Sequence, residues 1–173
     1  MDLSFNNFTQ KICSVQTDIT KELLYQLENM KLYKDKSQLN NYDKTSLFDR
    51  VVYDQVFNFL NEYIVPIMNK YGYEKFKLIN CWNQSYNKND YHSLHTHNNS
   101  KDNFSCILYI KCKEKSSATR FYPPGYPYIV FNEFIDIYPK VGKLVVFPGY
   151  LPHEVLPNKD DERLIMSANI EAQ

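Results

Sequence analysis

The sequence carries no excess of charge: 20 lysines and arginines are matched by 20 aspartates and glutamates. Broad, non-specific attachment to nucleic acid or to an acidic membrane needs a positive surplus, so neither is expected. Long apolar runs are also missing, and nothing approaches the roughly 18 residues of a membrane span. The opening residues, Met1-Asp2-Leu3-Ser4, lack a basic stretch followed by an apolar one. No secretion signal is therefore expected, and a cytoplasmic location is. Cysteine is scarce. Cys13, Cys81, Cys106 and Cys112 form no Cys-x-x-Cys pair, which predicts reduced thiols. Arginine is scarcer still, with only Arg50, Arg120 and Arg163. No internal repeat is present.

What is present is apolar and aromatic. Hydrophobic residues make up 43% of the 173 positions and aromatics 16%, enough for one packed domain spanning residues 1–173. Residues 1–70 read as a helical layer. Thr17 to Thr20 can supply an N-cap, and Leu23, Leu27 and Met30 follow at helical spacing. Tyr33 to Lys44 is polar and reads as a loop. A second helix is marked by one apolar stripe of Val52, Val56, Phe59, Leu60, Tyr63, Ile64 and Ile67. Pro66 falls within it and is expected to kink or end it.

From Phe76 the pattern changes to short β-rich runs: Phe76–Trp82, Phe104–Lys111, Thr119–Tyr122, Tyr128–Phe131, Phe134–Tyr138, Lys143–Phe147, His153–Leu156 and Arg163–Ile170. Turn residues separate many of them. Many short strands at close spacing predict an antiparallel sandwich or barrel over residues 76–170. Helices first and strands after predict an α+β domain, with the N-terminal helices packed on the sheet.

The four histidines fall in two places: His92, His95 and His97 in Tyr91–His97, and His153 in Phe147–Val155. Residues two apart in a strand share a face, so His95 and His97 can present two imidazoles to one point. His153 is then the remaining histidine that a distant strand can bring to it. Three nitrogens with the other positions open suit iron chemistry with oxygen and a second substrate. His92 reads as packing or surface. Arg163 lies ten residues after His153, at the start of the last strand. It shares a strand face with Ile165, Ser167 and Asn169. A guanidinium facing the same cavity can hold a carboxylate bidentately, with the Ser167 hydroxyl adding to that bond. A surface ion pair with Asp160, Asp161 or Glu162 is the alternative.

These parts resemble the double-stranded β-helix (jelly-roll, cupin-like) oxygenases that use Fe(II) and 2-oxoglutarate, and look closest to the small ones of phage and marine bacterial genomes. The resemblance rests on Trp82, the cluster Tyr91–His97, Ser105–Tyr109, Gly142–Pro148, His153, and Arg163 with Ser167–Asn169. It covers about residues 76–170. It implies a non-haem dioxygenase that hydroxylates a C–H bond, with Fe(II) as metal and 2-oxoglutarate as co-substrate. His95 and His153 would be metal ligands, and Arg163 would bind the distal carboxylate of 2-oxoglutarate. Tyr109 or Tyr86 would share that carboxylate. If the chain is phage-encoded, its location would be a host cytoplasm.

One departure stands out. Most such enzymes carry an acid two residues after the first histidine, and this chain has His95-Thr96-His97. Either His97 replaces the acid, giving a three-histidine site, or His97 is itself the first histidine and Asn99 stands in the acid's place. Asp90 and Asp102 are nearby acids that can enter the shell. The substrate reads only as a small molecule or a peptide, with nucleic acid disfavoured by the neutral charge. The Tyr-rich stretch Phe121–Tyr128, with Tyr150, is a candidate lid or wall. Two rival readings remain: a cupin-like metalloenzyme without 2-oxoglutarate, which does not need Arg163, and a non-catalytic barrel. Oligomeric state is not legible.

Overall fold

The computed structural model describes residues 4–7, 11–34, 40–45, 48–97, 100–124 and 134–173. In chain order the elements are β1 (Ser4–Asn7), β2 (Lys11–Gln16), α1 (Lys21–Glu28), β3 (Tyr33–Lys34), β4 (Asn40–Asn41), β5 (Asp43–Lys44), α2 (Arg50–Tyr71), β6 (Phe76–Tyr86), β7 (Tyr91–His95), β8 (Asn103–Lys111), β9 (Thr119–Phe121), β10 (Ile135–Ile137), β11 (Lys143–Pro148), β12 (His153–Val155) and β13 (Arg163–Ala172). The strands form two antiparallel sheets. The larger runs β1-β2-β11-β8-β13-β6-β5-β3 and the smaller β10-β9-β12-β7-β4.

Both helices are built as their sequences dictate. The Thr20 hydroxyl caps α1 by accepting from Leu23 N, and Leu23 and Leu27 turn inward. Asp49 caps α2 by accepting from Val52 N, and Gly72 closes it in the left-handed region at φ 90°. The α2 stripe buries Val56, Leu60, Ile64, Ile67 and Met68. Each such side chain contributes about 1.5–3 kcal/mol on leaving water. Pro66 does not end the helix, which continues to Tyr71. Ile64, Ile67 and Met68, all fully buried around it, hold the chain on its path.

The N-terminal 70 residues are not purely helical, which corrects the expected helical layer. Strand β2 joins the edge of β11, and β1 pairs outside it. Ile12 packs into one core while Cys13 and Val15 pack into the other. A strand with apolar groups on both faces shows no clean alternation, so its sequence gives no period-two signal. The polar stretch Tyr33 to Lys44 also contributes strands: β5 pairs with β6, and β4 pairs with β7. The expected strand Tyr128–Phe131 lies outside the described residues.

Two cores result. One lies between the helices and the outer face of the large sheet, and takes Met166, Ala168 and Ile170 from β13. The other lies between the sheets, and takes Ile165 from β13 with Tyr86, Tyr109, Phe121 and Phe147. The alternation of β13 therefore sends its odd residues toward the inter-sheet space.

Candidate metal and co-substrate site

The inner face of the large sheet is a ladder of rows fixed by strand register. Arg163 stands opposite Tyr86. Ile165 stands between Gln84 and Tyr109, Ser167 between Trp82 and Ile107, and Asn169 between Asn80 and Ser105. The small sheet supplies the facing wall, where His153 on β12 pairs with His95 on β7 and with Phe121 on β9. Directly opposed residues in an antiparallel pair project to one side, so His95 and His153 meet by register alone.

The three histidines expected as ligands are brought together. One ring nitrogen from each of His95, His97 and His153 lies within 4.8 Å of the others. The ring centroids of His95 and His153 are 4.2 Å apart, and those of His97 and His153 5.1 Å. His97 is not on the strand, which stops at His95. Its backbone N–H instead donates to Gly149 O (2.7 Å), and Gly149 N–H donates to Asn103 O (2.9 Å). The Pro148-Gly149 turn thus holds the third imidazole in place.

Two hydrogen bonds define the tautomers. His95 Nδ1 lies 2.7 Å from Ser93 O, and His153 Nδ1 lies 2.9 Å from Leu151 O. A carbonyl only accepts, so each Nδ1 carries the proton and each Nε2 keeps its lone pair. Burial disfavours the charged form at all three histidines. It lowers His95, despite the opposing Ser93 bond. It lowers His97 to about 4, helped by the neighbouring His95. It lowers His153 well below its ordinary value, with His95 and His97 adding to the effect. The cluster is a set of neutral nitrogen donors at pH 7.

His92 also faces inward. Plain alternation would send positions three apart to opposite faces. A register shift opposite His153 and Val155 turns both His92 and His95 to one side. Their rings stack at 3.9 Å with 14° between planes. The two acids considered as extra ligands are committed elsewhere: Asp90 accepts from Asn41 Nδ2 (2.5 Å) and Asn87 N (2.9 Å), and Asp102 from Tyr73 OH (2.7 Å). Asn99 lies outside the described residues.

Arg163 has no exposed surface. Its Nη2 donates to Thr119 Oγ1 (2.8 Å), while Nε and Nη1 have no hydrogen-bond partner. The guanidinium carbon lies 4.7 Å from the centroid of Tyr86 and 5.5 Å from that of Tyr109. Tyr109 OH meets Thr119 Oγ1 (2.9 Å), and Tyr86 OH is buried without a partner. Burial raises both phenols, and the adjacent Arg163 pulls them partly back. None of the ion pairs among the described residues includes Arg163. Isolating such a cation costs several kcal/mol, and the aromatic faces offset only about 2 of them. Thr119, which ties Arg163 to the small sheet, has no signal in the sequence. Only register shows that it stands opposite Val155, two residues from His153.

Ser167 and Asn169 are placed differently from each other. Ser167 lines the cavity beside the histidines and donates to Gln84 Oε1 (2.8 Å). Asn169 is at the far end of β13, bonded to Asn80 and Ser105. The cavity has about 340 Å³ of empty space, between Trp82, Gln84, Tyr86, Phe147 and the histidines.

Residues 80–169 match the family described as "Putative 2OG-Fe(II) oxygenase". The chain belongs to this family. The 2OG-Fe(II) oxygenases use Fe(II) and the co-substrate 2-oxoglutarate, and so does this enzyme. Solved structures share its fold. A prolyl 4-hydroxylase from Pseudomonas putida superposes with a TM-score of 0.68 at 19% identity, covering 95% of this chain and 94% of that one. The viral collagen prolyl hydroxylase of Paramecium bursaria Chlorella virus-1, in complex with 2OG, gives 0.64 at 17% identity over 94% and 96%. HygX from Streptomyces hygroscopicus, with nickel, 2-oxoglutarate and hygromycin B bound, gives 0.68 at 10% identity over 92% and 82%. No curated protein sequence matches the chain.

The oxygenase's own residues suit both groups. Three neutral imidazoles with free Nε2 atoms are donors for a divalent iron. A fully buried guanidinium with two unpartnered nitrogens, and no acid paired with it among the described residues, is the counterpart of a carboxylate. Among the described residues, no acid joins the histidine cluster.

Proposed function

We propose that this oxygenase hydroxylates a C–H bond of a peptide or small molecule, holding Fe(II) on His95, His97 and His153 and 2-oxoglutarate against Arg163. The two facing antiparallel sheets support reading the chain as a single double-stranded β-helix domain, with the site between them. The observation that carries the reading is the buried Arg163, which pairs with no acid among the described residues. Its tie to Thr119 lies two residues along from the His153 row, or about 7 Å. A five-carbon diacid can span that offset, with its keto-acid end toward the histidines and its distal carboxylate on the guanidinium.

When bound, the iron and 2-oxoglutarate would together activate dioxygen, whose two oxygen atoms end in the hydroxylated substrate and in succinate as 2-oxoglutarate loses carbon dioxide. The protein's residues do the rest. His95 and His153 are aimed by Ser93 O and Leu151 O, and His97 by the Gly149 turn. Tyr109 and Tyr86, beside Arg163, offer hydroxyls to the same carboxylate, and Ser167 adds a hydroxyl on the cavity wall. Phe121, Phe147 and Tyr86 keep the space between the sheets dry. The hydroxylase reading is supported by the prolyl hydroxylases that share the fold. The location follows from the sequence as an expectation of cytoplasm; no helix among the described residues is long and apolar enough to cross a membrane.

The test is succinate formation from 2-oxoglutarate, dependent on Fe(II), with His153→Ala reducing it to background. Undiminished succinate in that variant contradicts the ligand set.

A further inference from the structure

The fourth histidine lies in the site without joining its donors. The ring nitrogens that converge within 4.8 Å belong to His95, His97 and His153. His92 lines the same cavity. It lies flat on His95, with centroids 3.9 Å apart and 14° between planes. The buried ring of Tyr42 packs on His92 at 4.8 Å, and on Tyr86 at 5.3 Å. Tyr86 in turn lies 4.7 Å from the Arg163 guanidinium carbon. An unbroken run of ring contacts therefore joins the buried arginine to a metal-donor histidine.

His92 is better anchored than the ring it touches. Its backbone stands between Val155 on β12 and Asn40 on β4. His95 is the last residue of β7 and pairs with His153 on β12. The end of a strand opens more readily than its paired interior. The Ser93 carbonyl restrains His95 at one atom, Nδ1. The flat contact with His92 restrains the plane of the ring.

A side-chain chain ties His92 to the facing sheet. Ser167 Oγ donates to Gln84 Oε1 (2.8 Å), which leaves Gln84 Nε2 as the end toward His92 Nδ1 (3.5 Å). An amide nitrogen only donates, so His92 Nδ1 accepts. This is the reverse of His95 and His153, whose Nδ1 atoms donate to carbonyls. Gln84 and Ser167 line the cavity with His92. The chain thus runs from β13, which carries Arg163, through β6 to β7.

We propose that His92 is a positioning residue: it sets the plane of the His95 ring and, through Gln84 and Ser167, ties that ligand to the strand that carries Arg163. The proposal rests on the oxygenase reading above. Its action is through His95 and not on the metal.

The test compares the whole wild-type protein with four variants. His92→Ala and His92→Leu remove the flat face, the second while filling its space, so that the comparison survives if the first does not fold. His92→Phe keeps a flat ring without nitrogen, and Gln84→Leu removes the tether. Histidine ring nitrogen NMR of the metal-free proteins reports the His95 tautomer. Wild type and His92→Phe should show His95 protonated at Nδ1 alone, and His92→Leu a mixture. In anaerobic calorimetry, His92→Ala and His92→Leu should bind Fe(II) about tenfold more weakly than wild type. His92→Phe should bind as tightly as wild type, with Gln84→Leu between.

Unchanged Fe(II) affinity and an unchanged His95 tautomer in His92→Leu overturn the proposal. Equal losses in His92→Leu and His92→Phe also overturn it, because the nitrogen and not the plane would then be the working part. The visible band of the Fe(II)–2-oxoglutarate complex is recorded for each protein, and its absence in the wild type contradicts the oxygenase site itself. The tautomer comparison, made without metal, still decides whether His92 holds His95.

Discussion

At the scale of single residues, Arg163 is the most informative side chain, because it is built at a cost. A buried guanidinium with two unpartnered nitrogens burdens the protein when its anion is absent. Arg163→Met should therefore weaken 2-oxoglutarate binding about 100-fold, from roughly 1.5–3 kcal/mol for each hydrogen bond to a charged group. The same variant should leave the melting temperature of the ligand-free protein unchanged or higher, since it removes an unpaired buried cation. Calorimetry with 2-oxoglutarate and a thermal melt check both halves; a large fall in melting temperature contradicts the second.

The histidines predict a pH dependence. Folded, they resist protonation, with His97 near 4 and His95 and His153 below the usual value of 6.5. Unfolded, they take up protons below about 6.5. The unfolded state then binds more protons, so the metal-free protein loses stability as pH falls from about 6.5 toward 4, and these groups contribute no slope above 7. Melting temperatures at pH 7.5, 6 and 5 should fall in that order below 7, and less steeply in His97→Gln. A flat profile contradicts neutral burial of the cluster. The sequence showed which histidines to group and which arginine to suspect. It did not show the inward turn of His92, which needs the register shift in β7, or the role of Thr119, which is a matter of strand pairing alone.

At the scale of elements, the turn before β11 is a sharp constraint. Gly142 sits at φ 77°, and a Cβ there would lie 2.7 Å from Gln16 Nε2 and 3.1 Å from Thr17 O. Its carbonyl accepts from Thr17 N and Thr17 Oγ1, and its N–H donates to Tyr109 O. Gly142→Ala should cost about 1–2 kcal/mol from the left-handed backbone alone. At about 2–4 °C per kcal/mol for a domain of this size, the melting temperature should fall by several degrees. No fall would contradict the cost assigned to the left-handed backbone at this turn. The strands that were legible beforehand are β6 and β8 to β13; β6, β8, β11 and β13 are long or strongly β-branched and aromatic, and β9, β10 and β12 are short but set off by turn residues. Those absent from the expected runs are β1, β2, which is apolar on both faces, β7, and β3, β4 and β5, each two residues long and polar. Apart from that of β1, their pairing is set by neighbours distant in sequence, which no local pattern encodes.

At the scale of the molecule, the two faces of the large sheet divide the work. The outer face buries the α2 stripe and stabilises the fold. The inner face runs from a sealed, cationic end at Arg163 to an open, amide-lined end at Asn169, with the histidines facing its middle. The most direct test is the visible spectrum of the metal-free protein after anaerobic addition of Fe(II) and then 2-oxoglutarate. A weak visible band that appears only with both, and is lost in Arg163→Ala and in His153→Ala, is the predicted result. Tight iron binding with no band on adding 2-oxoglutarate would contradict the account.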